Sequence, residues 1–400
     1  MELLETDILI SGGGIAGLTA ACALGAAGFH VICTDPTPPV TGESDAGADI
    51  RTTAFLQPAR RLLEQSGLWE RLAPHAAALR IMRIIDAGGA TAIARDVHDF
   101  DAADITDAPF GWNLPNWLLR REMLDRIGEL ANVTFLPGIA TGDVTTRETE
   151  ARIRLGDGRM VSCRLLLAAD GRNSPVRSQA GIGVKTWRYG QKALAFSVTH
   201  PLPHNNVSTE IHRSGGPFTL VPLPDLDDGR HRSAVVWMER GPRAQALATL
   251  PVAAFEQALD ERSTLLLGPL KLLGRRALWP IISQIATRLD AQRIALMAEA
   301  AHVVPPIGAQ GLNMSLADLR VLLDLASENP AALGSAAMLR RYGRARWPQI
   351  RARVTGIDLL NRASMAETPL LRDLRRAGLR TLHDVAPLRK TLMKAGLGAG

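Results

Sequence analysis

Three glycines, Gly12, Gly14 and Gly17, stand at the spacing G-x-G-x-x-G between an apolar run, Ile8 to Ser11, and an Ala/Leu-rich segment of helical character. Each has a mechanical task. Gly12 lets a strand turn sharply, Gly14 removes the Cβ that would keep a pyrophosphate from the helix N-terminus, and Gly17 lets helix and strand pack closely. The helix then presents free N–H groups and the positive end of its dipole to two phosphates. A second apolar run, Val31 to Thr34, ends at Asp35, an acid placed to accept hydrogen bonds from a ribose. These residue types at these intervals offer the capture of a dinucleotide.

Two later stretches carry further chemistry. An apolar run from Leu165 delivers Asp170-Gly171, and Ser174 and Arg177 then open a helix. Asp170 alone would be a turn residue; with the opening motif it marks a second point where a sheet edge meets the dinucleotide. In the string from Ala298 to Asp318, Pro305 and Pro306 fix a rigid approach, Gly308 and Gly311 let backbone come close to a flat ligand, and Leu312 opens a helix running to about Ala326. His302 in this string reads as a packed, hydrogen-bonded histidine in preference to an acid or base. Arg51 follows the Pro/Gly/Asp-rich loop Pro36 to Asp49 and is either a solvated arginine or a cofactor contact.

Positioning these residues takes two kinds of scaffold. Asp49 to Ala54 is expected to begin a helix carrying Leu62, Leu63 and Leu68, and another begins near Arg120 with Met123, Leu124, Ile127 and Leu130 at helical spacing. Ala78 to Asp86 alternates as a strand that turns at Gly88-Gly89, whereas Asp96 to Asp107 is acidic and reads as irregular. Val133 to Leu136 returns to strand, and Arg152 to Leu155 with Met160 to Cys163 form a hairpin. From Trp187 to Glu239 separated strands follow without helices between them: Ala193 to Thr199, Val207 to His212, Phe218 to Pro222 and Ser233 to Met238. That pattern implies an antiparallel sheet, closed by an amphipathic helix from Phe255 to Leu267. Ile294 to Met297 is a further short strand, and Met338 to Gly400 is helical and basic.

Composition narrows the classes. Four hundred residues with 46% apolar content imply about two globular domains. No run of about twenty apolar residues is present, and no signal or transit peptide is readable. The expected location is the cytosol, with peripheral contact at the inner face of the cytoplasmic membrane. Cys22, Cys33 and Cys163 lie in apolar segments without C-x-x-C spacing, which favours buried thiols over a metal site. From Arg340 onward there are 14 Lys/Arg against 4 Asp/Glu, leaving 32 against 36 before it. The basic character therefore belongs to the last sixty residues, and aromatics at 4% are too sparse for base stacking, so nucleic acid is not an expected partner. In Pro369 to Leu382, Arg372, Arg375, Arg376 and Arg380 share one face and leucines another, a solvated helix or one adhering to an anionic surface.

The chain resembles the flavin-dependent aromatic hydroxylases of the para-hydroxybenzoate hydroxylase fold, and among them the ubiquinone-biosynthesis hydroxylases. The resemblance rests on Gly12 to Asp35, on Asp170-Gly171 with Ser174 and Arg177, and most specifically on HVVPPIGAQGLN within Ala298 to Asp318. It implies an α/β fold: a Rossmann-like FAD-binding domain, an antiparallel-sheet substrate domain and a helical C-terminal region. The implied segments are 1–78, 111–183 and 285–340 for the FAD-binding domain, 79–110 and 184–284 for the substrate domain, and 341–400 for the basic helical end. Carried over, Gly12, Gly14 and Gly17 would hold the FAD pyrophosphate and Asp35 the adenosine ribose. Arg51 would lie along the flavin, Arg120 or Arg121 near the pyrophosphate, Asp170 beside FAD, and Glu299 on the ribityl chain. Pro306, Gly311, Leu312 and Asn313 would face the isoalloxazine ring. Two positions depart from the family: Ala298-Glu299 replaces the usual Gly-Asp, and Asp35 stands where Glu is commoner. Each changes reach by one methylene, about 1.5 Å.

The implied activity is hydroxylation of the ring of a polyprenylated phenol on the way to ubiquinone, through a flavin C4a-hydroperoxide, with O2 and with NAD(P)H or a ferredoxin as electron donor. A multi-enzyme biosynthetic complex is an implied partner, and no side chain is singled out as catalytic. Alternatives are a flavoprotein hydroxylase or reductase acting on another aromatic or lipid, and a flavin-fold scaffold that does not turn over. The W-x-W-x-I-P string of flavin halogenases is absent.

Overall fold

The computed structural model describes residues 3–87, 96–213, 215–365 and 383–397. At its centre lies the strand Leu3–Ser11, whose Ile8, Leu9 and Ile10 are fully buried. Val31–Asp35 pairs with it in parallel on one side and Met160–Ala168 on the other. Val133–Pro137 extends the sheet beyond the first neighbour, and Ile294–Leu296 beyond the second, again in parallel. Continuous apolar runs such as Ile8 to Ile10 and Leu165 to Ala168 suit strands covered on both faces. Helix Ile15–Ala26 packs against Asn116–Gly128 and Gln310–Glu328. The hairpin of Ala151–Leu155 with Met160–Ala168 forms as expected.

The second sheet has eight strands, and their spatial order runs His302–Val303, Lys271–Ala286, Val184–His200, His231–Arg240, Pro217–Leu223, Val207–His212, Ile81–Asp86, Asp96–Asp101. Its two faces do different work. Leu194, Phe196, Ile211, Phe218, Leu220, Val235 and Trp237 point one way and pack with Phe255, Leu259, Ala244 and Leu247 of helices Gly241–Thr249 and Val252–Ser263. The alternate residues Ala193, Met238 and Ile281, with Val236 and Trp279 beside them, join the core of the parallel-sheet unit. One face is thus roofed by helices and the other is turned towards the nucleotide half. A small sheet of Thr52–Leu56, Gly111–Pro115 and Ala77–Leu79 lies between them, with Asn113 Nδ2 donating to Pro222 O at 2.9 Å.

Several elements differ from expectation. The segment from Asp49 opens with the strand Thr52–Leu56, and the helix begins only at Gln57, because consecutive β-branched threonines find a partner in Gly111–Pro115. Ala78 to Asp86 is two strands, broken at Arg80 and lying in different sheets. Asp96–Asp101 is a strand at the sheet edge, where charged residues discourage pairing with a second molecule. The helix expected near Arg120 starts at Asn116, after Pro115. Phe255 to Leu267 lies on Val252–Ser263, which ends where Thr264 takes a φ of +55°. The sheet is antiparallel except where Ile81–Asp86 runs parallel to Val207–His212. Lys271–Ala286 was not foreseen as a strand, since Gly274, Arg275-Arg276 and Pro280 interrupt its pattern. The Gly88-Gly89 turn and the Pro369 to Leu382 helix fall outside the described residues.

The basic C-terminal region is partly core. Helix Ala336–Ser364 buries Met338, Leu339, Tyr342, Ile350, Val354 and Ile357. Tyr342 Oη donates to Leu296 O at 2.7 Å, while Asn361 Nδ2 donates to Gln191 Oε1 at 2.9 Å. One helix therefore ties both sheets together. The three cysteines are free and buried, and burial pushes the thiols of Cys22 and Cys163 up to about 12. Among the described residues no helix is long and apolar enough to cross a membrane.

Candidate functional site

Four strand ends lie side by side along one edge of the parallel sheet. Ser11 sits opposite Thr34 on one side and Ala168 on the other, and Ala168 sits opposite Leu296. From these carboxyl ends the chain passes into Gly12, Asp35, Asp170 and Ala298-Glu299. Open α/β sheets bind ligands in the crevice outside such ends. Residues up to 287 positions apart in sequence are thereby gathered at one edge.

The glycines divide their labour as their spacing predicts. At Gly12 φ is +107° and an added Cβ would lie 2.4 Å from Ala169 O; at Gly17 it would lie 1.8 Å from Gly12 O. Gly14 differs: a Cβ there meets no atom within 4 Å, so its missing side chain leaves open space before the helix start. Gly13, which the spacing argument passed over, donates its N–H to Asp35 Oδ2 at 2.7 Å, and Thr37 N donates to Oδ1 at 2.8 Å. Two backbone bonds therefore hold the carboxylate, and each oxygen retains acceptor capacity. The signal for Gly13 was the uninterrupted Gly12-Gly13-Gly14 run.

Asp170 lies directly against the first bend, its Cα 2.9 Å from where a Gly12 Cβ would be. Val176 N donates to Oδ2 at 3.1 Å, whereas Oδ1 is buried with no partner among the described residues. Burial raises the Asp170 carboxyl above its ordinary range. Arg177 joins this loop to the next strand end by donating to Ala300 O at 2.9 Å and Arg172 O at 2.8 Å. Glu299 is exposed on that turn. Ala298 before it adopts a φ of +54°, a conformation that explains why glycine is the commoner residue there.

At the end of the Pro/Gly/Asp-rich loop, Asp49 gathers three cationic or amide groups. Arg51 grips it with two bonds, Nε to Oδ1 at 2.7 Å and Nη2 to Oδ2 at 2.6 Å. Asn116 Nδ2 adds a bond at 3.0 Å, and Arg120 Nη2 approaches to 3.7 Å. Burial pushes the Asp49 carboxyl up, but Arg51, Asn116 and Arg120 outweigh it and hold its pKa below the usual range. The Asp49 bond raises the Arg51 guanidinium above its ordinary value, with the Asp49 and Glu299 charges supporting it. Arg51 also lies 5.5 Å from the Trp279 ring centroid, on the face of the second sheet that turns inward. Between the two arginines, Arg120 belongs to this cluster and leaves a buried Nε unpartnered among the described residues. Arg121 turns away to Glu122 and the Trp117 ring.

The third wall is the start of helix Gln310–Glu328. Ala309 precedes it at φ +56° and no side chain caps it, so its first N–H groups face outward. Pro306 and Leu312 are half-buried and Gly311 is exposed there. The amide of Asn313 is spent within the protein. Nδ2 donates to Ala54 O at 2.8 Å and Ala309 O at 2.6 Å, and Leu56 N donates to Oδ1 at 2.9 Å. It pins the strand after Arg51 to the helix start. His302 is packed as expected, with Nε2 2.7 Å from Asp318 Oδ2. Sequence reasoning missed that Asp318 is the hub: it also accepts from Arg346 Nε at 2.8 Å and Ala298 N at 3.2 Å. Burial would raise Asp318, but His302 first and Arg346 next hold it low.

The two unpartnered polar atoms, Asp170 Oδ1 and Arg120 Nε, and the empty space before Gly14 make a cradle suited to a long, polar dinucleotide such as FAD. The family described as the FAD binding domain matches residues 5–356. The chain belongs to that family. It is 32% identical to the ubiquinone hydroxylase UbiL of Rhodospirillum rubrum, with 98% of this chain and 89% of that one covered. It is 26% identical to the 3-demethoxyubiquinol 3-hydroxylase of Escherichia coli, over 98% of each. Among solved structures, p-nitrophenol 4-monooxygenase PnpA from Pseudomonas putida superposes with a TM-score of 0.80 at 19% identity, over 99% of both chains, and shares the fold. The protein is accordingly an FAD-dependent enzyme of the monooxygenase class.

Proposed function

We propose that this protein hydroxylates the aromatic ring of a polyprenylated phenol in ubiquinone biosynthesis, with FAD as cofactor and NAD(P)H or a ferredoxin as electron donor. The observation that carries the reading is the gathering of Gly12, Asp35, Asp170 and Glu299 at one sheet edge, with open space at Gly14, together with the pair Arg51 and Arg120 held on Asp49. Bound FAD supplies the activation of O2 and the transfer of one oxygen atom to the ring.

The protein's own residues bind, orient and exclude water. Gly12, Gly14 and Gly17 bring the first helix to the pyrophosphate, and Asp35 takes the ribose hydroxyls with acceptor sites that its two backbone bonds leave available. Arg120 offers its unpartnered Nε to phosphate, and Asp170 offers Oδ1 to a hydroxyl or amide of FAD. Arg51, locked by Asp49, would lie along the flavin side, and Glu299 would accept from the ribityl chain. The uncapped start of the Gln310 helix, with Pro306, Gly311 and Leu312 beside it, would offer N–H groups and a positive dipole end to the pyrimidine side of FAD, where reduction adds negative charge. Asn313 holds that wall in place.

Substrate-dependent NAD(P)H or reduced-ferredoxin oxidation, with the hydroxylated product identified by mass, tests the reading. Cofactor-bound protein that consumes reductant only as an oxidase, with every prenylated phenol offered, overturns it. Quinone-intermediate profiling of a deletion strain then names the ring carbon. The polyprenyl tail is accommodated by a location at the membrane surface. Leu359 and Leu360, 62% and 59% exposed, lie on the same helix as the exposed Arg340, Arg341, Arg344, Arg351 and Arg362.

A further inference from the structure

The inward face of the second sheet carries one buried histidine with half of its ring unspent. Along Val207–His212, Ile211 belongs to the helix-covered face, so period-two alternation puts Glu210 and His212 on the face turned towards the nucleotide half. The register places Glu210 opposite Thr219, and Thr219 opposite Val236, which packs against the core of the parallel-sheet unit. His212 and Glu210 are 8% and 6% exposed. His212 Nε2 lies 2.7 Å from Glu210 Oε1, while Nδ1 is buried with no partner among the described residues.

In the neutral imidazole, a proton on Nε2 donated to the Glu210 carboxylate leaves Nδ1 with a lone pair. A buried bare acceptor with no donor is costly unless a ligand supplies the donor. A base oriented by a carboxylate on its far nitrogen is the arrangement used for proton abstraction from a hydroxyl. We infer that His212 is the general base for the substrate's phenolic hydroxyl, oriented by Glu210. This rests on the hydroxylase reading above. In the step, the phenol O–H bond breaks, its proton passes to Nδ1, and its electron pair stays on the oxygen. The resulting imidazolium is stabilised by Glu210, and the phenolate ring is the stronger nucleophile towards the oxygen atom that FAD delivers. The proton returns when the product rearomatises and leaves as a phenol.

Among the described residues, the titratable groups that strand register places beside this pair come from two neighbouring strands. Asp86 stands opposite His212 in the parallel register, Asp96 opposite Asp86, and His98 opposite Ile84 next to Glu210; Pro217 and Thr219 on the other side carry no charge. The His383 ring lies tilted against His98, with centroids 4.9 Å apart.

The test uses FAD-loaded protein and 4-nitrophenol, whose absorption reports its ionisation. In wild type the bound phenol ionises at lower pH than in water. In His212→Asn the FAD content is kept, the bound phenol ionises as in water, and turnover of a short-chain prenylated phenol falls about 100-fold with loss of the acidic limb of the pH profile. Glu210→Gln gives a smaller fall with the same change of limb. Bound nitrophenol ionising in wild type no more readily than in water overturns the assignment even if neither variant folds. So does a variant with an unchanged pH profile. Wild type that forms no hydroxylated product overturns the hydroxylase reading instead, while the nitrophenol result still reports on the base.

Discussion

The sharpest contrast at the level of single residues lies between two glycines of one motif. A methyl at Gly17 would collide with Gly12 O, whereas a methyl at Gly14 would enter space that no protein atom occupies. Gly17→Ala is therefore expected to destabilise the unliganded fold by about 1–3 kcal/mol, the usual cost of overpacking. Gly14→Ala should leave the apoprotein's Tm unchanged and weaken FAD at least about tenfold, equivalent to ~1.4 kcal/mol. Thermal unfolding of apoprotein with fluorescence titration of FAD separates them. Equal loss of apo stability in both variants would show that the space before Gly14 is not the cofactor's. A second residue-level expectation concerns Asn313. Asn313→Ala frees the Leu56 N–H and the Ala54 carbonyl, and should lower apo stability by about 1–3 kcal/mol before any loss of FAD affinity is considered.

Among the elements, the turn at Ala298 and the helices Gln310–Glu328 and Ala336–Ser364 are joined by a single buried carboxylate. Asp318→Asn leaves Arg346 buried with a neutral partner, and the expected loss is about 3–5 kcal/mol. The same carboxylate sets an acid limit. Because its folded pKa is held below the unfolded value, the stabilisation is complete above the unfolded value of about 3.9 and is lost as pH falls through the folded one. Wild-type Tm should therefore decline more steeply below pH ~4 than that of Asp318→Asn; parallel curves would remove Asp318 as the source. This hub also marks where sequence reading stops. Gly12 to Asp35 was legible because turn, helix and second strand follow one another, and Pro305, Pro306, Gly308 and Gly311 around the start of the Gln310 helix were legible for the same reason. Asp318 was not, since its partners His302 and Arg346 come from other elements and nothing local demands an acid there. Lys271–Ala286 was equally hidden, because its identity as a strand comes from pairing with Val184–His200 across two register shifts and not from its own alternation. His212 stood in the sequence only as the last residue of the strand Val207 to His212, and its surroundings came from the assignment of the sheet's two faces.

For the whole molecule, the C-terminal basic region divides into a part that holds the fold and a part that can be altered. Helix Ala336–Ser364 reaches the parallel sheet through Tyr342 and the second sheet through Asn361 and Asp358, which accepts from Tyr189 Oη at 2.6 Å. Removing the chain from Arg340 onward would open the core, so a membrane test must spare this helix. Its outer face is independent of those contacts, and substituting Leu359→Glu with Leu360→Glu should leave Tm and FAD content unchanged. Each exposed arginine contributes about 1 kcal/mol near an anionic surface, attenuated beyond a Debye length of about 8 Å at physiological salt. The leucine pair adds apolar insertion that salt does not screen. Full-length protein should therefore float with anionic vesicles and partly resist moderate salt, while the double variant floats at low salt only and is released as salt rises. Equal flotation of both proteins with uncharged vesicles, or none with anionic ones, would place the prenyl tail's entry elsewhere on the surface. A chain ended after residue 365 completes the comparison: retained flotation assigns the binding to the helix that clamps the two sheets, and lost flotation assigns it to the residues beyond.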